Sequence, residues 1–302
     1  MKSTTRISIT TPSNFNFWRT AYSHGWCDLV PFSFDVEKKE LRRILSLDGN
    51  VLADCVLRGT DHAIEVRSTT SAPLLSRQRK HLVAQVRSML RLGEDFEKFH
   101  AMARKNPQYR WIARSGSGRL LRSPTVFEDV VKMICTTNCT WALTKIMVTN
   151  LVGCFGKTLD DGRSSFPEPE AIASSTERFL RTRIKAGYRA PYLIELSRRV
   201  ASGRLDLESW RQSTLPTDEL FKQMREVKGV GPYAAGNILK LVGRYDYLGL
   251  DSWVRQQFYK LHTAGRKVKD SGIERHYARF GKWRGLLFWL EMTRGWHDDK
   301  FR

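Results

Sequence analysis

The sequence has no unbroken apolar run approaching the roughly 20 residues that cross a bilayer, and no apolar stretch follows the opening Met1-Lys2-Ser3-Thr4-Thr5-Arg6. Neither a membrane span nor a secretory leader is expected. Cysteine is scarce. Cys27, Cys55, Cys135, Cys139 and Cys154 are odd in number and irregular in spacing, which speaks against a disulfide framework and fits a reducing compartment. Cys135 and Cys139 can share a helix face, but no second Cys or His pair stands nearby to complete a tetrahedral zinc site. They are expected as buried small apolar residues. There is no internal repeat and no low-complexity tract. Acid is in short supply: 31 Asp+Glu stand against 51 Lys+Arg, a formal charge of +20. A field of that sign attracts polyanions and makes their binding salt-dependent. What these absences leave is a soluble intracellular chain of 302 residues, long enough for two subdomains, with nucleic acid as the first partner to consider. Charge alone would also suit an anionic membrane surface.

The most informative stretch present is Val227-Lys228-Gly229-Val230-Gly231-Pro232-Tyr233-Ala234-Ala235-Gly236, followed further on by Gly249-Leu250-Asp251-Ser252-Trp253-Val254-Arg255. It reads as a helix, a glycine hairpin, a second helix and then a lone carboxylate at the start of a third. Pro232 suits the first position of the second helix, where its missing N–H would be unpaired anyway. Free backbone N–H groups at that helix start make a site for a phosphate. Two plainer readings stand beside this one. A Gly-x-Gly hairpin alone is a sequence-independent clamp for a DNA backbone, and an Asp before a helix is ordinarily an N-cap. The conjunction of hairpin, spacing and Asp251 is more specific than either half.

Hydrophobic periodicity organises the rest. Arg6–Thr10, Val51–Arg58 and His62–Arg67 alternate as strands separated by polar turns such as Asp48-Gly49-Asn50. An antiparallel sheet is the simplest consequence. After Pro73 the period turns helical, with Leu82, Val83, Val86, Met89 and Leu90 on a basic helix, and helices continue from there. The expected architecture is α+β: residues 1–95 as an N-terminal antiparallel sheet domain with a flanking helix, and residues 96–302 as an all-helical domain carrying the hairpin at 228–231.

The motifs Leu120-Leu121-Arg122-Ser123-Pro124, Ile134-Cys135-Thr136-Thr137-Asn138, Gly187-Tyr188-Arg189-Ala190-Pro191-Tyr192 and the hairpin–Asp unit resemble, in this order, those of the helix-hairpin-helix DNA glycosylase superfamily. Within it, the chain is similar to the 8-oxoguanine DNA glycosylases and the bacterial alkylpurine (3-methyladenine) DNA glycosylases. The resemblance covers residues 70 to 292 and is strongest over 120–255. It implies a base-excision enzyme acting on duplex DNA that contains a damaged base, as a monomer, in the cytoplasm or nucleoid of a bacterium or the nucleus of a eukaryote.

By the same resemblance Asp251 is the catalytic carboxylate, able to stabilise the oxocarbenium-like sugar formed when the N-glycosidic bond breaks. Members that also cleave the strand carry a Lys where Tyr233 stands, so base removal by water alone is expected. Lys228 is expected on phosphate, and Lys240 lies about two helical turns beyond Tyr233. Lys228, Gly229, Val230, Gly231 and Arg255 are the expected backbone contacts. Asn138 matches the residue that enters the space of the flipped base, with an N-cap before Trp141 as its alternative. Tyr188 and Arg189 match a wedge and a contact to the orphaned base, and Leu143 replaces an arginine of the 8-oxoguanine enzymes. Phe288 and Met292 stand where those enzymes have an amide and an aromatic that grip the oxidised base. Together with Trp289, Tyr233 and Trp253 they would make an aromatic-rich pocket suited to alkylated, cationic purines; ordinary core packing is the alternative for each aromatic. Some relatives hold an iron–sulfur cluster on four cysteines after the Asp; here no cysteine follows Cys154, so no cluster and no other metal is expected. The resemblance leaves room for a monovalent cation at the hairpin. A catalytically silent DNA-damage-binding protein, and excision of 8-oxoguanine or a mismatched base, remain the alternatives.

Overall fold

In the computed structural model, residues 2–296 are described. The chain opens with a five-stranded antiparallel sheet of β1 Ser3–Thr10, β2 Phe32–Asp35, β3 Glu40–Leu47, β4 Val51–Gly59 and β5 Ala63–Thr70, in the order β1-β5-β4-β3-β2. In β5 the alternation is regular, with Ile64, Val66, Ser68 and Thr70 turned inward, as a sheet covered on one face requires. Sequence alternation found β1, β4 and β5 but not β2 or β3. β3 is covered along most of its length, with Arg43, Ile44 and Leu45 buried in succession, so no period of two shows in its sequence. Helices follow, beginning with Ser76–Met89. The expected α+β class, sheet first and helices after, is the one observed.

The apolar packing forms two clusters. One runs from the sheet through Leu82 and Val86 to the middle helices and the hairpin helix Pro232–Leu241. The other joins Phe96 to Leu120 with Tyr245 to Met292. At the centre lies the helix Val126–Thr136, N-capped by Thr125 Oγ1 on Glu128 N at 3.2 Å and buried at every position from Val126 to Cys135. A helix covered all round must satisfy its own polar side chains internally. Glu128 accepts from Arg43 of β3 at 3.0 and 2.5 Å and from Lys132 at 2.6 Å, all three essentially without solvent. Burial pushes the Glu128 carboxyl up, but Arg43 and Lys132 outweigh it and hold the group below the usual carboxylate range. The sheet is thus keyed to the central helix by ions.

Removing one partner of such a group leaves uncompensated buried charge. Glu128→Ala is expected to destabilise the fold by roughly 3–5 kcal/mol, read as a lower urea midpoint at pH 7. Because the folded-state pKa is depressed, the wild-type contribution is present above the unfolded value and fades as pH falls through the acid range, so the gap between wild type and variant should narrow on acidification.

Candidate active site

The helix Thr217–Arg225 runs into the hairpin, where Val230 N donates to Val227 O at 2.9 Å and the buried Val230 side chain anchors the turn. Gly229 has φ +87°, and a Cβ there would also stand 2.9 Å from the Tyr192 ring. Gly231 has φ −79° and caps the helix Pro232–Leu241 without any side-chain bond, leaving first-turn N–H groups to an outside acceptor. A Cβ on Gly231 would meet no protein atom within 4 Å. That open space is where a phosphate would approach.

Asp251 precedes the helix Ser252–His262 and does cap it, Oδ1 accepting from Val254 N at 2.8 Å. Capping uses one oxygen of a carboxylate that also lines the cavity, so the two roles coexist. Burial, and then the Asp251 carboxylate, push the Tyr233 phenol up to about 12. The chain before Asp251 lies against the hairpin helix at Gly236, where a Cβ would be 3.2 Å from Gly249 Cα. Asn237 Nδ2 donates to Tyr233 O at 2.9 Å, and Lys240 Nζ to Leu248 O at 2.6 Å.

These elements wall a cavity of about 1430 Å³. Its aromatic side is a tryptophan group: Trp253 and Trp296 rings are 5.0 Å apart, Trp289 and Trp296 5.9 Å and nearly perpendicular. Trp289 Nε1 donates to Ser23 O at 3.0 Å. A further wall, adjoining Trp289 through that bond, is the segment Tyr22–Asp28, fastened where Trp26 Nε1 donates to Asp129 Oδ1 at 2.8 Å. His24 lies in that wall; burial pulls its pKa down to about 4, and its Nε2 meets Leu121 O at 2.5 Å.

Of the residues singled out in the sequence, Asp251, Tyr233, Trp253, Trp289, Asn138, Tyr188, Lys228, Gly229, Val230, Gly231 and Arg255 line this one cavity. Thr140, not Asn138, caps the helix Trp141–Phe155. Asn138 is exposed, in the left-handed region at φ +46°, with its Nδ2 3.4 Å from the Tyr188 hydroxyl at the rim. Lys228 and Arg255 carry counter-charges, Glu195 at 2.7 Å and Asp270 at 2.8 Å.

Three expectations are corrected. Phe288 is fully buried, edge-on to Tyr277 at 5.2 Å, and Met292 is buried in the same core cluster, so neither faces the cavity. Both lie on the inner face of the helix Arg284–Met292, while Trp289, about 100° round from Phe288, is the residue that reaches the site. Arg189 is 3 % exposed and its guanidinium donates to Thr137 O, so it braces the turn before Asn138 instead of reaching for an orphaned base. Sequence reasoning missed His24 and Trp141, which sit in an irregular segment and at a helix start with no motif around them, and did not foresee Lys240 as a cavity residue. Among the described residues no group of His, Cys, Asp and Glu is arranged to hold a metal. Cys135 is buried and its thiol is pushed up to about 12 by that burial.

No model of a known protein family matches the chain. It is 26% identical over 235 residues to a DNA-3-methyladenine glycosylase of Bacillus subtilis, covering 72% of this chain and 76% of that protein. To a probable N-glycosylase/DNA lyase of Methanothermobacter thermautotrophicus it is 24% identical over 279 residues, covering 82% and 88%. In structure it is similar to the 3-methyladenine DNA glycosylase of Archaeoglobus fulgidus, with a TM-score of 0.74 at 19% identity over 95% of this chain and 98% of that one. The Clostridium acetobutylicum 8-oxoguanine glycosylase/lyase, solved with double-stranded DNA, gives a TM-score of 0.75 at 18% identity over 99% and 98%. The sequence relatives are thus a DNA-3-methyladenine glycosylase and a probable N-glycosylase/DNA lyase, the structural neighbours a 3-methyladenine and an 8-oxoguanine glycosylase, and this chain shares the fold of those neighbours.

The two hairpin glycines separate stability from binding. Gly231→Ala is expected to fold normally but to weaken binding to damaged and undamaged duplexes alike, because its methyl enters the open phosphate approach. Gly229→Ala should lower thermal stability by about 1 kcal/mol or more through its positive φ. Fluorescence anisotropy and thermal melts check the pair, and equal behaviour of the two variants in both assays would contradict it.

Proposed function

We propose that the protein is a DNA glycosylase of base-excision repair, which turns a damaged base out of duplex DNA into the tryptophan-lined cavity and hydrolyses its N-glycosidic bond. The observation that carries this reading is the placement of Asp251 beside Tyr233 in the same cavity as the hairpin. A hairpin that serves only as a clamp has no use for a carboxylate turned toward a polyanion. Here the N–H groups after Gly231 would hold a phosphate, and Asp251 would face the sugar next to it. As the bond to the base lengthens, positive charge develops on the sugar, and a fixed carboxylate in a largely enclosed site stabilises it more than water would. The base leaves with the electron pair of the broken bond, and water adds to the sugar cation, giving up its proton to Asp251 or to solvent. Asn138 and Tyr188, exposed together at the rim, are suited to fill the space left in the stack.

The finer reading is a monofunctional enzyme for alkylated purines, acting as a monomer. Tryptophan faces attract electron-poor, cationic rings, and Trp253, Trp289 and Trp296 supply them. Tyr233, without an amine, occupies the hairpin position at which imine-forming relatives carry Lys. The 8-oxoguanine glycosylase/lyase likeness frames the alternative; Leu143, in place of that group's arginine, argues against strict recognition of a partner cytosine.

Two outcomes test this reading. Duplexes carrying one lesion each, incubated with the protein and then cleaved with alkali at abasic sites, should show excision of alkylated purines, and Asp251→Asn should lower the single-turnover rate on the order of 10²-fold or more while DNA binding persists. Wild-type rates in that variant would sink the assignment of Asp251. Borohydride added during turnover should trap no protein–DNA complex. A trapped complex would mean that an amine in the cavity, Lys228 or Lys240, acts as nucleophile.

A further inference from the structure

A lysine ammonium is strongly hydrated and seldom fully buried without a paired charge. Lys240, in the last turn of the hairpin helix, is 2 % exposed, yet it belongs to the cavity lining. Its Nζ donates to Leu248 O at 2.6 Å and to Asn237 Oδ1 at 3.1 Å. Both acceptors are neutral. The backbone has been shaped around the amine: Gly249 sits at φ +66°, and a Cβ there would lie 2.7 Å from Nζ.

The charged group whose field acts on this amine is Asp251. The other titratable groups around it contribute little opposing or supporting charge. His24, in the Tyr22–Asp28 wall, is kept neutral by burial. Arg91 donates to the lysine's own backbone carbonyl at 2.9 Å and is paired with Glu94. The phenols of Tyr233, on the same helix, and of Tyr245, on the following loop, are both pushed up, first by burial, and stay uncharged.

We propose that Lys240 is a positioning residue acting through Asp251: its amine pins the Leu248–Asp251 segment to the hairpin helix, and its proton offsets the carboxylate, so that base excision is faster once that proton has left. The proposal rests on the glycosylase reading above. With Lys240 charged, its field opposes that of the Asp251 carboxylate across the cavity lining, and the developing sugar cation feels a weakened field. With Lys240 neutral, the full negative charge of Asp251 faces the sugar, while the amine can still donate to Leu248 O and Asn237 Oδ1. Burial brings the switch into the neutral range, pulling Lys240 down to about 7 against the opposing pull of Asp251.

Two measurements on the intact protein decide this. In the first, the ε-carbon NMR signal of Lys240, assigned by its loss in Lys240→Gln, is titrated. It should move with a midpoint near 7, and Asp251→Asn should shift that midpoint lower, since the carboxylate raises it. A midpoint near the ordinary lysine value, or one indifferent to Asp251→Asn, overturns the proposal. In the second, single-turnover excision of the lesion found in the duplex panel is followed from pH 6 to 8.5 for wild type and Lys240→Gln in parallel. Any titration of the lesion itself is common to both and cancels in their ratio. The ratio of wild type to variant should rise on the order of 10-fold through about pH 7; a flat ratio would show the lysine to be structural only. Borohydride trapping that maps to Lys240 would make it a nucleophile and also overturn the positioning role. If no lesion is excised at all, it is the glycosylase reading that fails, and the NMR arm still reports separately whether Lys240 and Asp251 are coupled.

Discussion

The site depends on one close approach. On the proposed reading the hairpin would grip a backbone and Asp251 would act on a sugar, and the two could serve one nucleotide only if the helix Pro232–Leu241 and the chain before Asp251 lie almost in backbone contact. Gly236 and Gly249 permit this, since a side chain at Gly236 would stand 3.2 Å from Gly249 Cα. Absence of side chains brings the segments together but does not fix how they slide. Lys240 sets that register, its Nζ held by Asn237 Oδ1 on its own helix at 3.1 Å and donating to Leu248 O across the gap at 2.6 Å. Glycine supplies the proximity, and the lysine supplies the alignment.

A second constraint fixes the Tyr22–Asp28 wall. Glu128 and Asp129 are neighbours on a helix with no solvent-facing side, and they point to different clients. Glu128 takes Arg43 from the sheet, and Asp129 takes the Trp26 indole at 2.8 Å and Ser123 N at 2.9 Å. The sheet and the Tyr22–Asp28 wall are thereby referred to one rigid element. Buried ions of this kind add little net stability, because desolvation offsets their attraction, but an alternative docking would strand them. Their number also changes the meaning of the composition. Arg43, Arg91, Arg119 and Arg122 lie inside, held by carboxylates and backbone carbonyls. The +20 of the sequence therefore exceeds the charge that DNA would meet at the surface.

The fold class was legible where one face of an element is wet. Regular alternation marked β1 and β5, and three- and four-residue steps marked the helices Ser76–Met89 and Thr217–Arg225. It was illegible where burial is complete. β3 hides an arginine among aliphatic neighbours, and its partner β2 is four residues long, so neither left a period to read. The hairpin and Asp251 were legible for a different reason: Gly229, Gly231 and Pro232 are dictated by backbone conformation and approach, and such demands show directly in residue type.

The rest of the site was harder because it turns on rotational phase. In Gly285-Leu286-Leu287-Phe288-Trp289-Leu290 every side is apolar, so the sequence cannot say which residue of the helix meets the cavity. Phe288 and Met292, four apart, must share a face, and the core took it; Trp289, a quarter turn away, went to the cavity with its indole tied to Ser23 O. The proposed cationic base keeps its setting after this exchange. It needs electron-rich ring faces and not any particular aromatic; with Phe288 in the core, Trp253 and Trp289 still line the cavity and Trp296 joins them. Lys240 bears on the same question, because a buried ammonium would repel such a base, whereas a neutral amine leaves Asp251 and the tryptophans as the groups that determine the field the base enters.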